Sequence, residues 1–140
     1  MPTPPQVRQI MTPEPATVSP EDPIRLAIDR MRERNCRRLP VVKEGRLVGI
    51  VSDRDLRRAT NSPLVLRERW YDEFMLDHVP VGACMTPDPI TVTPATLIAD
   101  AARILRKNKF GGLPVVDGGR LVGIVTSSDF LDYIIRTLEP

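Results

Sequence analysis

Two short segments of the chain have the residue types that could bind a nucleoside. Each follows an apolar run and has the pattern Ser/Thr-x-x-Asp, with Ser52 and Asp55 in one segment and Thr126 and Asp129 in the other. Where a strand ends and a helix begins, unpaired backbone N–H groups and the positive end of the helix dipole favour an anion. A hydroxyl side chain there can donate a hydrogen bond to a phosphate, and the carboxylate can accept both hydroxyls of a ribose.

The same pattern also has a structural interpretation, because it is a variant of the helix-capping box. In such a box, the carboxylate three residues into the helix accepts a hydrogen bond from the backbone N–H of the capping residue. For one isolated motif this interpretation is the stronger of the two. The ligand-binding interpretation gains support because both motifs follow the same kind of strand, Leu47–Val51 in one case and Leu121–Val125 in the other.

The chain of 140 residues contains an internal duplication. Residues 7–58 align with residues 81–132 at a constant offset of 74 without gaps, and 23 of the 52 aligned positions are identical. A repeat of about 50 residues buries too little apolar surface to be stable alone. We therefore expect an α/β protein in which the two repeats pack on each other with pseudo-two-fold symmetry.

Each repeat is predicted to fold in the order β-α-β-β-α. In the first repeat, a short strand at Thr17–Val18 precedes Ser19-Pro20, which suits the N-cap and the first position of a helix. Apolar residues at helical spacing follow over residues 24–31. Two further strands, at residues 41–42 and 47–51, flank a glycine-containing turn, and the polar motif then begins the closing helix. The second repeat has the same features 74 residues later.

The segment between the repeats has its own pattern. Leu66, Trp70 and Phe74 lie at helical spacing and predict an amphipathic helix over residues 64–77. The prolines at the N-terminus predict a flexible tail. The predicted organisation is a tail, a first unit, a helical insertion and a second unit, at residues 1–6, 7–58, 59–80 and 81–136.

Composition argues against several classes of protein. Hydrophobic residues make up 41% and charged residues 27%, which is typical of a soluble globular protein. No run approaches the ~18–20 apolar residues that cross a bilayer, and the N-terminus lacks a signal-peptide pattern. We therefore expect a cytoplasmic protein without membrane contact. With two cysteines and one histidine, neither a zinc site nor a nucleophile–base pair can be assembled, so no enzymatic activity is expected.

The duplicated sequence resembles a tandem pair of CBS domains, the module named after cystathionine beta-synthase. The resemblance covers residues 7–136 and rests on four motifs that occur in both repeats in the same order. These motifs are the Met-Thr-Pro openings, the Leu-Pro-Val-Val runs, the Gly-Arg-Leu-Val-Gly-Ile-Val strands and the Ser/Thr-x-x-Asp endings. The segment Ser52–Arg57 and the helical insertion look like those of small stand-alone bacterial CBS-pair proteins.

The resemblance implies a regulatory sensor with no covalent cofactor. Its ligand would be an adenine nucleotide, AMP, ADP or ATP, bound in clefts between the two repeats. The motif aspartate would hold the ribose and the motif hydroxyl the phosphate, while the opening segment of the other repeat would form the adenine wall. Carried over by position, the first cleft would use Ser52, Asp55, Ile50, Pro89 and Ile90, and the second Thr126, Asp129, Ile124, Pro15 and Ala16.

Family members often have basic residues just before the Leu-Pro-Val run, where they face phosphate. Here the first repeat has Arg37 and Arg38, whereas the second has Gly111 and Gly112. The resemblance therefore implies two unequal clefts, because only the first repeat supplies phosphate charge at this position. The glycines would admit a bulkier ligand or leave one cleft weak. An exposed loop without a ligand is the alternative interpretation of the arginines.

Other functions stay open at this point. The module could be a structural protein–protein interaction unit with vestigial clefts, or it could bind S-adenosylmethionine or NAD. The arginine-rich residues 30–38 could contact nucleic acid, although no aromatic side chain that could stack on a base lies among them. Nucleic acid is therefore the disfavoured partner.

Partners of two kinds are expected. Family members commonly pair through their helices, so the resemblance implies a homodimer, and a sensor needs a regulated protein. The predicted insertion helix, with Trp70, Tyr71 and Phe74, would add an apolar surface to either contact.

Overall fold

The computed structural model of the chain describes residues 3–60 and 69–139, with the backbone alone for residue 60 and residues 69–72. The described residues form two compact units, which are described separately. Unit 1 consists of Met1–Pro15 and Pro89–Pro140, and unit 2 consists of Ala16–Asp88. The elements in chain order are β1 (Thr12–Pro13), α1 (Ile24–Arg34), β2 (Arg38–Lys43), β3 (Arg46–Ser52), α2 (Asp53–Thr60), α3 (Arg69–His78), β4 (Thr86–Pro87), α4 (Ile98–Asn108), β5 (Gly112–Asp117), β6 (Arg120–Thr126) and α5 (Ser127–Leu138).

Each unit contains one antiparallel sheet of three strands, with order β2-β3-β4 in unit 2 and β1-β6-β5 in unit 1. The expected α/β class is therefore confirmed. In both sheets the hairpin of one sequence repeat pairs with the short strand that opens the other repeat. β4 thus pairs with β3 through Gly49 and Ile50, and β1 pairs with β6 through Gly123 and Ile124. Each compact unit is consequently built from parts of both repeats.

The short opening strands can lie this close because the hairpin strand has a glycine at the contact. A Cβ atom on Gly49 would lie 2.5 Å from the Met85 sulfur and 2.9 Å from the Thr86 carbonyl oxygen. A Cβ atom on Gly123 would meet the Met11 sulfur at 2.7 Å and the Thr12 carbonyl oxygen at 2.9 Å. The backbone oxygen cannot move without breaking the pairing, so any side chain at these positions would push the opening strand away.

Each unit has its own apolar core beneath the sheet. In unit 2 the core joins α1 to the hairpin, and its most buried members are Val18, Ile24, Ala27, Leu39, Val41, Val51 and Val81. In unit 1 the equivalent core joins α4 and α5 to the hairpin and includes Val7, Ala101, Leu113, Val115, Val125 and Phe130. Leu56 of α2 belongs to the unit 2 core as well, so in each unit both helices of one repeat pack on the hairpin of that repeat.

The expected starts of α1 and α4 are wrong by several residues. Ser19 does not cap α1, because its N–H instead donates to the Asp22 side chain in a local turn. The helix begins at Ile24, whose N–H donates to the carbonyl of Val79. In unit 1, Ile98 begins α4 and donates in the same way to Pro5. A backbone carbonyl distant in sequence replaces the expected side-chain cap.

Two further details differ from the sequence expectation. Thr17–Val18 and its equivalent in the second repeat are not strands, since only Val18 and Val92 make isolated parallel bridges, to Val41 and Val115. Of the predicted helix over 64–77, residues 64–68 lie outside the described residues, and the helix that is described ends at His78.

Burial predicts that two isoleucines of the chain contribute very differently to the free energy of unfolding. Ile24 is fully buried in the unit 2 core, whereas Ile90 is 43% exposed. Ile24→Ala should lower the free energy of unfolding by about 2–5 kcal/mol, because it leaves a cavity among packed side chains. Ile90→Ala is the matched control and should change it by no more than about 0.5 kcal/mol. Urea unfolding followed by circular dichroism measures both, and equal losses would contradict this assignment of the core.

Candidate ligand-binding site

The first predicted motif lies at the junction between β3 and α2, on the surface of unit 2. Ser52 is the last residue of β3 and Asp55 lies in the first turn of α2, and both are half-buried. The N–H of Ser52 donates to Asp55 Oδ2 at 2.8 Å, and the N–H of Asp55 donates to Ser52 Oγ at 3.1 Å. This reciprocal pair is a capping box, so the structural interpretation of the motif holds here.

The second motif has the same position in unit 1, where β6 leads into α5. The N–H of Thr126 donates to Asp129 Oδ2 at 2.8 Å, and the hydroxyl of Thr126 lies 3.3 Å from the same oxygen. Thr126 is the N-cap residue of α5 and Asp129 occupies its third position, again as a capping box. Both motifs thus fix the junction between a strand and a helix.

Capping does not use up the binding capacity of these carboxylates. A carboxylate has about four lone-pair sites on two oxygens, and each box occupies Oδ2 alone among the contacts of the described residues. Oδ1 of Asp55 and of Asp129 therefore keeps its acceptor sites, while the box holds each side chain in one rotamer. A carboxylate held in this way is suited to accepting the hydroxyls of a sugar.

The arginines that precede β2 lie next to the first motif. Arg38 is the cross-strand partner of Ser52, and the carbonyl of Arg37 accepts the N–H of Asp53 at 2.9 Å. Arg37 is exposed and Arg38 is half-buried. Two guanidinium side chains are thus attached at the edge of the strand–helix junction where an anion would bind.

The glycines of the second repeat occupy the equivalent places in unit 1. Gly112 is the cross-strand partner of Thr126, and the carbonyl of Gly111 accepts the N–H of Ser127 at 3.0 Å. The backbone geometry of the two junctions is therefore the same, and the difference between them lies in the side chains.

The predicted wall residues are distributed over the two units. Ile50 and Ile124 lie on β3 and β6, where they pair with Thr86 and Thr12. Pro15 belongs to unit 1 and follows Glu14, whose N–H donates to the Val122 carbonyl at 3.2 Å. Of the remaining wall residues, Ala16 lies in unit 2, and Pro89 and Ile90 lie in unit 1. Their pairing with Asp55 and Asp129 in shared clefts stays a prediction.

An open cavity of about 350 Å³ lies beside Asp129 in unit 1. Besides Asp129 it is lined by four residues that the sequence analysis did not select, namely Ile10, Asp132, Ile135 and Arg136. Helical spacing gives the signal that would have found three of them, because positions three, six and seven residues after Asp129 lie near one face of α5.

The environment of Asp129 changes its acidity. Burial raises the pKa of this carboxyl above its ordinary value of 3.8, the hydrogen bonds from Thr126 oppose this effect, and the nearby charge of Asp132 adds to it. In unit 2, burial raises the pKa of the Cys84 thiol and the charge of Asp55 raises it further. Cys84 is the counterpart of Ile10 in the repeat, so the same position neighbours the motif aspartate in both units.

Other kinds of site find little support in the described residues. Within residues 3–60 and 69–139, no three side chains of His, Cys, Asp or Glu come together in a way that could hold a metal ion. Among the helices of that same part of the chain, none is both long and apolar enough to cross a bilayer.

Comparison with known proteins assigns the fold and the two motifs to a family. The sequence pattern of the CBS domain matches residues 7–62 and again residues 81–136. A CBS domain-containing protein of Dictyostelium discoideum is 38% identical over 136 residues, which cover 96% of this chain and 94% of that protein. The chain therefore belongs to the CBS domain family and contains a tandem pair of these domains.

Solved structures and a longer enzyme extend the comparison. CBSX2 in complex with AMP has a TM-score of 0.79 and 33% identity, covering 94% of this chain and 97% of that one. The CBS domain pair of protein MJ0100, in complex with 5′-methylthioadenosine and S-adenosyl-L-methionine, has a TM-score of 0.80 and 27% identity, covering 96% and 99%. An inosine-5′-monophosphate dehydrogenase of Thermoplasma acidophilum is 40% identical over 116 residues, which cover 82% of this chain but only 21% of the enzyme.

The raised pKa of Asp129 predicts a specific dependence of stability on pH. The folded protein keeps the proton on Asp129 to a higher pH than the unfolded chain, so this contribution to stability is present at low pH and is lost as the pH rises through the folded pKa. Asp129→Asn stays neutral, so its free energy of unfolding should rise relative to that of the wild type as the pH increases from the ordinary carboxyl pKa of 3.8 through the higher folded pKa of Asp129.

Urea unfolding at several pH values measures this difference. The control is Ser128→Ala on the exposed side of the same helical turn, whose difference from the wild type should not vary with pH. A constant difference between Asp129→Asn and the wild type would show that the environment of Asp129 is not as described.

Proposed function

We propose that this protein is a regulatory sensor that binds an adenine nucleotide through its two Ser/Thr-x-x-Asp motifs and modulates a partner protein. The observation that carries the proposal is the repeated strand–helix junction, in which a capping box holds a carboxylate with one oxygen still able to accept hydrogen bonds. The AMP complex of a CBS pair that shares 33% identity and nearly the full length with this chain supports the ligand class.

Each group in the junction would have a separate role. Asp55 and Asp129 would accept the ribose hydroxyls through Oδ1, and Ser52 and Thr126 would contact phosphate. Apolar contact for the base would come from Ile50 and Ile124 and from the wall residues Pro15, Ala16, Pro89 and Ile90. AMP, ADP and ATP all present these groups, and the phosphates would be met by Arg37 and Arg38. Each such charge-assisted contact is worth about 1.5–3 kcal/mol.

Regulation would follow from a shift between two arrangements of the protein. A ligand can change such an equilibrium only by the difference between its affinities for the two arrangements. The protein would therefore act on its partner by binding and not by catalysis. The long dehydrogenase that contains a similar segment in about a fifth of its length fits this use of a CBS pair as an accessory part of a larger protein.

We also propose that the partner includes a second copy of the chain, bound through α5. Leu131, Ile134, Ile135 and Leu138 lie at helical spacing on α5, and their side chains are 59%, 49%, 54% and 75% exposed. Four apolar side chains at this exposure on one helix mark a protein contact. In α2, the position of Leu131 is occupied by Arg57, so the two closing helices differ in this respect.

A cytoplasmic location follows from the proposed ligand, since adenine nucleotides are concentrated inside cells. Cys36 and Cys84 are both free thiols in the structure, as expected in a reducing compartment.

Ligand-induced stabilisation tests the sensor function. AMP, ADP, ATP, NAD and S-adenosylmethionine should each be assayed by thermal shift. An adenine nucleotide at about 100 times its dissociation constant should stabilise the protein by about 2.7 kcal/mol. No stabilisation by any of them, together with a stable complex with a protein partner, would replace this proposal by a structural interaction module.

The assigned residues are tested by titration calorimetry of site variants. Asp55→Ala and Asp129→Ala should each remove one binding event, because each deletes the acceptor of one ribose. Asp53→Ala is the matched control, since it deletes a neighbouring carboxylate of α2 that bonds Arg57. Full binding by the Asp55→Ala, Asp129→Ala double variant would reject the site.

Sedimentation velocity tests the proposed dimer. Leu131→Lys and Ile134→Lys should each shift the protein towards the monomer, because a charge would be buried in an apolar contact. Phe110→Lys, at an apolar side chain that is 39% exposed outside α5, is the control and should leave the association unchanged. A monomeric wild type at high concentration would contradict the assignment.

A further inference from the structure

The two junctions share their hydroxyl and carboxylate, but the charged residues at equivalent positions around them differ. The inference drawn from this difference rests on the proposed function, because it concerns what each junction binds. It follows from three independent features of the described residues: the cross-strand neighbour, the next position on the helix face, and the hydrogen bond of the motif hydroxyl.

The first feature is the residue opposite the motif hydroxyl in the hairpin. Directly opposed residues of an antiparallel pair have Cβ atoms about 4.5–5.5 Å apart on the same face of the sheet. In unit 2 the partner of Ser52 is Arg38, so a guanidinium side chain starts beside the hydroxyl. In unit 1 the partner of Thr126 is Gly112, which has no side chain to offer.

The second feature is the residue three positions after the motif aspartate, one turn further along the helix. In unit 1 this residue is Asp132, which lines the same cavity as Asp129. In unit 2 the equivalent residue is the exposed Arg58. Arg136 also lines the cavity and its Nε lies 3.4 Å from the Asp132 carbonyl oxygen, so the cavity has two carboxylates and one guanidinium.

The third feature is the hydroxyl itself. Ser52 Oγ accepts the N–H of Asp55, which leaves its own proton available for a phosphate oxygen. Thr126 Oγ1 likewise faces the N–H of Asp129 in the capping box, but it also lies 3.3 Å from the Asp129 carboxylate, which can only accept, so the hydroxyl proton of Thr126 is directed to that carboxylate. The group that would contact phosphate is thus engaged in unit 1 and available in unit 2.

We propose that the two junctions bind different classes of adenosine ligand, so that of the two motif hydroxyls only Ser52 contacts phosphate and Thr126 does not. The Ser52 and Asp55 junction takes a phosphorylated nucleotide, and the Thr126 and Asp129 junction takes an adenosine ligand without phosphate, neutral or cationic. The reason is electrostatic: a phosphate in unit 1 would lie near two carboxylates without a guanidinium at the hairpin, whereas a cation there would be attracted. A single chain could then respond to two different metabolite pools.

Calorimetry on variants that keep one junction each tests this division. Asp55→Ala keeps the unit 1 junction and should bind adenosine or S-adenosylmethionine at least about tenfold more tightly than AMP. Asp129→Ala keeps the unit 2 junction and should show the reverse order, with AMP at least about tenfold tighter than adenosine. AMP and adenosine form the matched pair of ligands, because they differ only in the phosphate.

A charge substitution tests the cause. In the Asp55→Ala background, Asp132→Arg should strengthen AMP binding by about tenfold or more and weaken S-adenosylmethionine binding, since it gives unit 1 the charge that unit 2 has at Arg58. Asp132 is exposed, so the substitution leaves the core intact. Asp100→Arg makes the same change of charge on α4, outside the residues that line the cavity, and should leave both affinities unchanged.

The outcomes separate this inference from the proposed function. If both single-junction variants rank the ligands in the same order, or if Asp132→Arg changes AMP affinity no more than Asp100→Arg does, the division by charge is overturned while nucleotide binding stands. If the wild type binds none of the ligands, the proposed function and the inference fall together. Opposite rankings with a response confined to Asp132→Arg support the division.

Discussion

The hydrogen bond from the backbone N–H of a strand's last residue to the carboxylate three residues later fixes both strand–helix junctions of this molecule. It ends β3 at Ser52 and β6 at Thr126, and it begins the helices that follow. Because one carboxylate oxygen is used in this way, the side chain is held in place without a ligand. The structural and the binding interpretations of the motif are therefore compatible, since the capping contact preorganises the group that would contact the ribose.

The position of these junctions depends in turn on the exchange of opening strands between the repeats. A strand of two residues contributes few hydrogen bonds by itself, and it stays in register because Gly49 and Gly123 permit close approach of the backbone. The exchange makes each compact unit a product of both sequence repeats. The duplicated chain therefore has two similar junctions, and the sheet that leads into each junction contains strands from both repeats.

Duplication with divergence explains why similar backbones are combined with different chemistry. The hairpins keep the same register, including the irregularity after Val41 and Val115, whereas the residues that face the junctions have changed. Backbone geometry is constrained by the core and the glycine contacts, so a change there would cost stability. Arg38 and Asp132 lie at the edge of the packed region, where a substitution alters charge and leaves the fold intact.

The sequence alone predicted the repeats, the hairpins with their glycine turns, the family and the position of the two motifs at strand–helix junctions, because each of these depends on local patterns of residues. It failed at the starts of α1 and α4, where Val79 and Pro5, far away in the chain, supply the carbonyls that accept the first helical N–H groups. It also missed β1, β4 and the cavity residue Ile10. These features were decided by tertiary structure, since pairing with a distant strand and packing around Asp129 bring together residues that no local pattern connects.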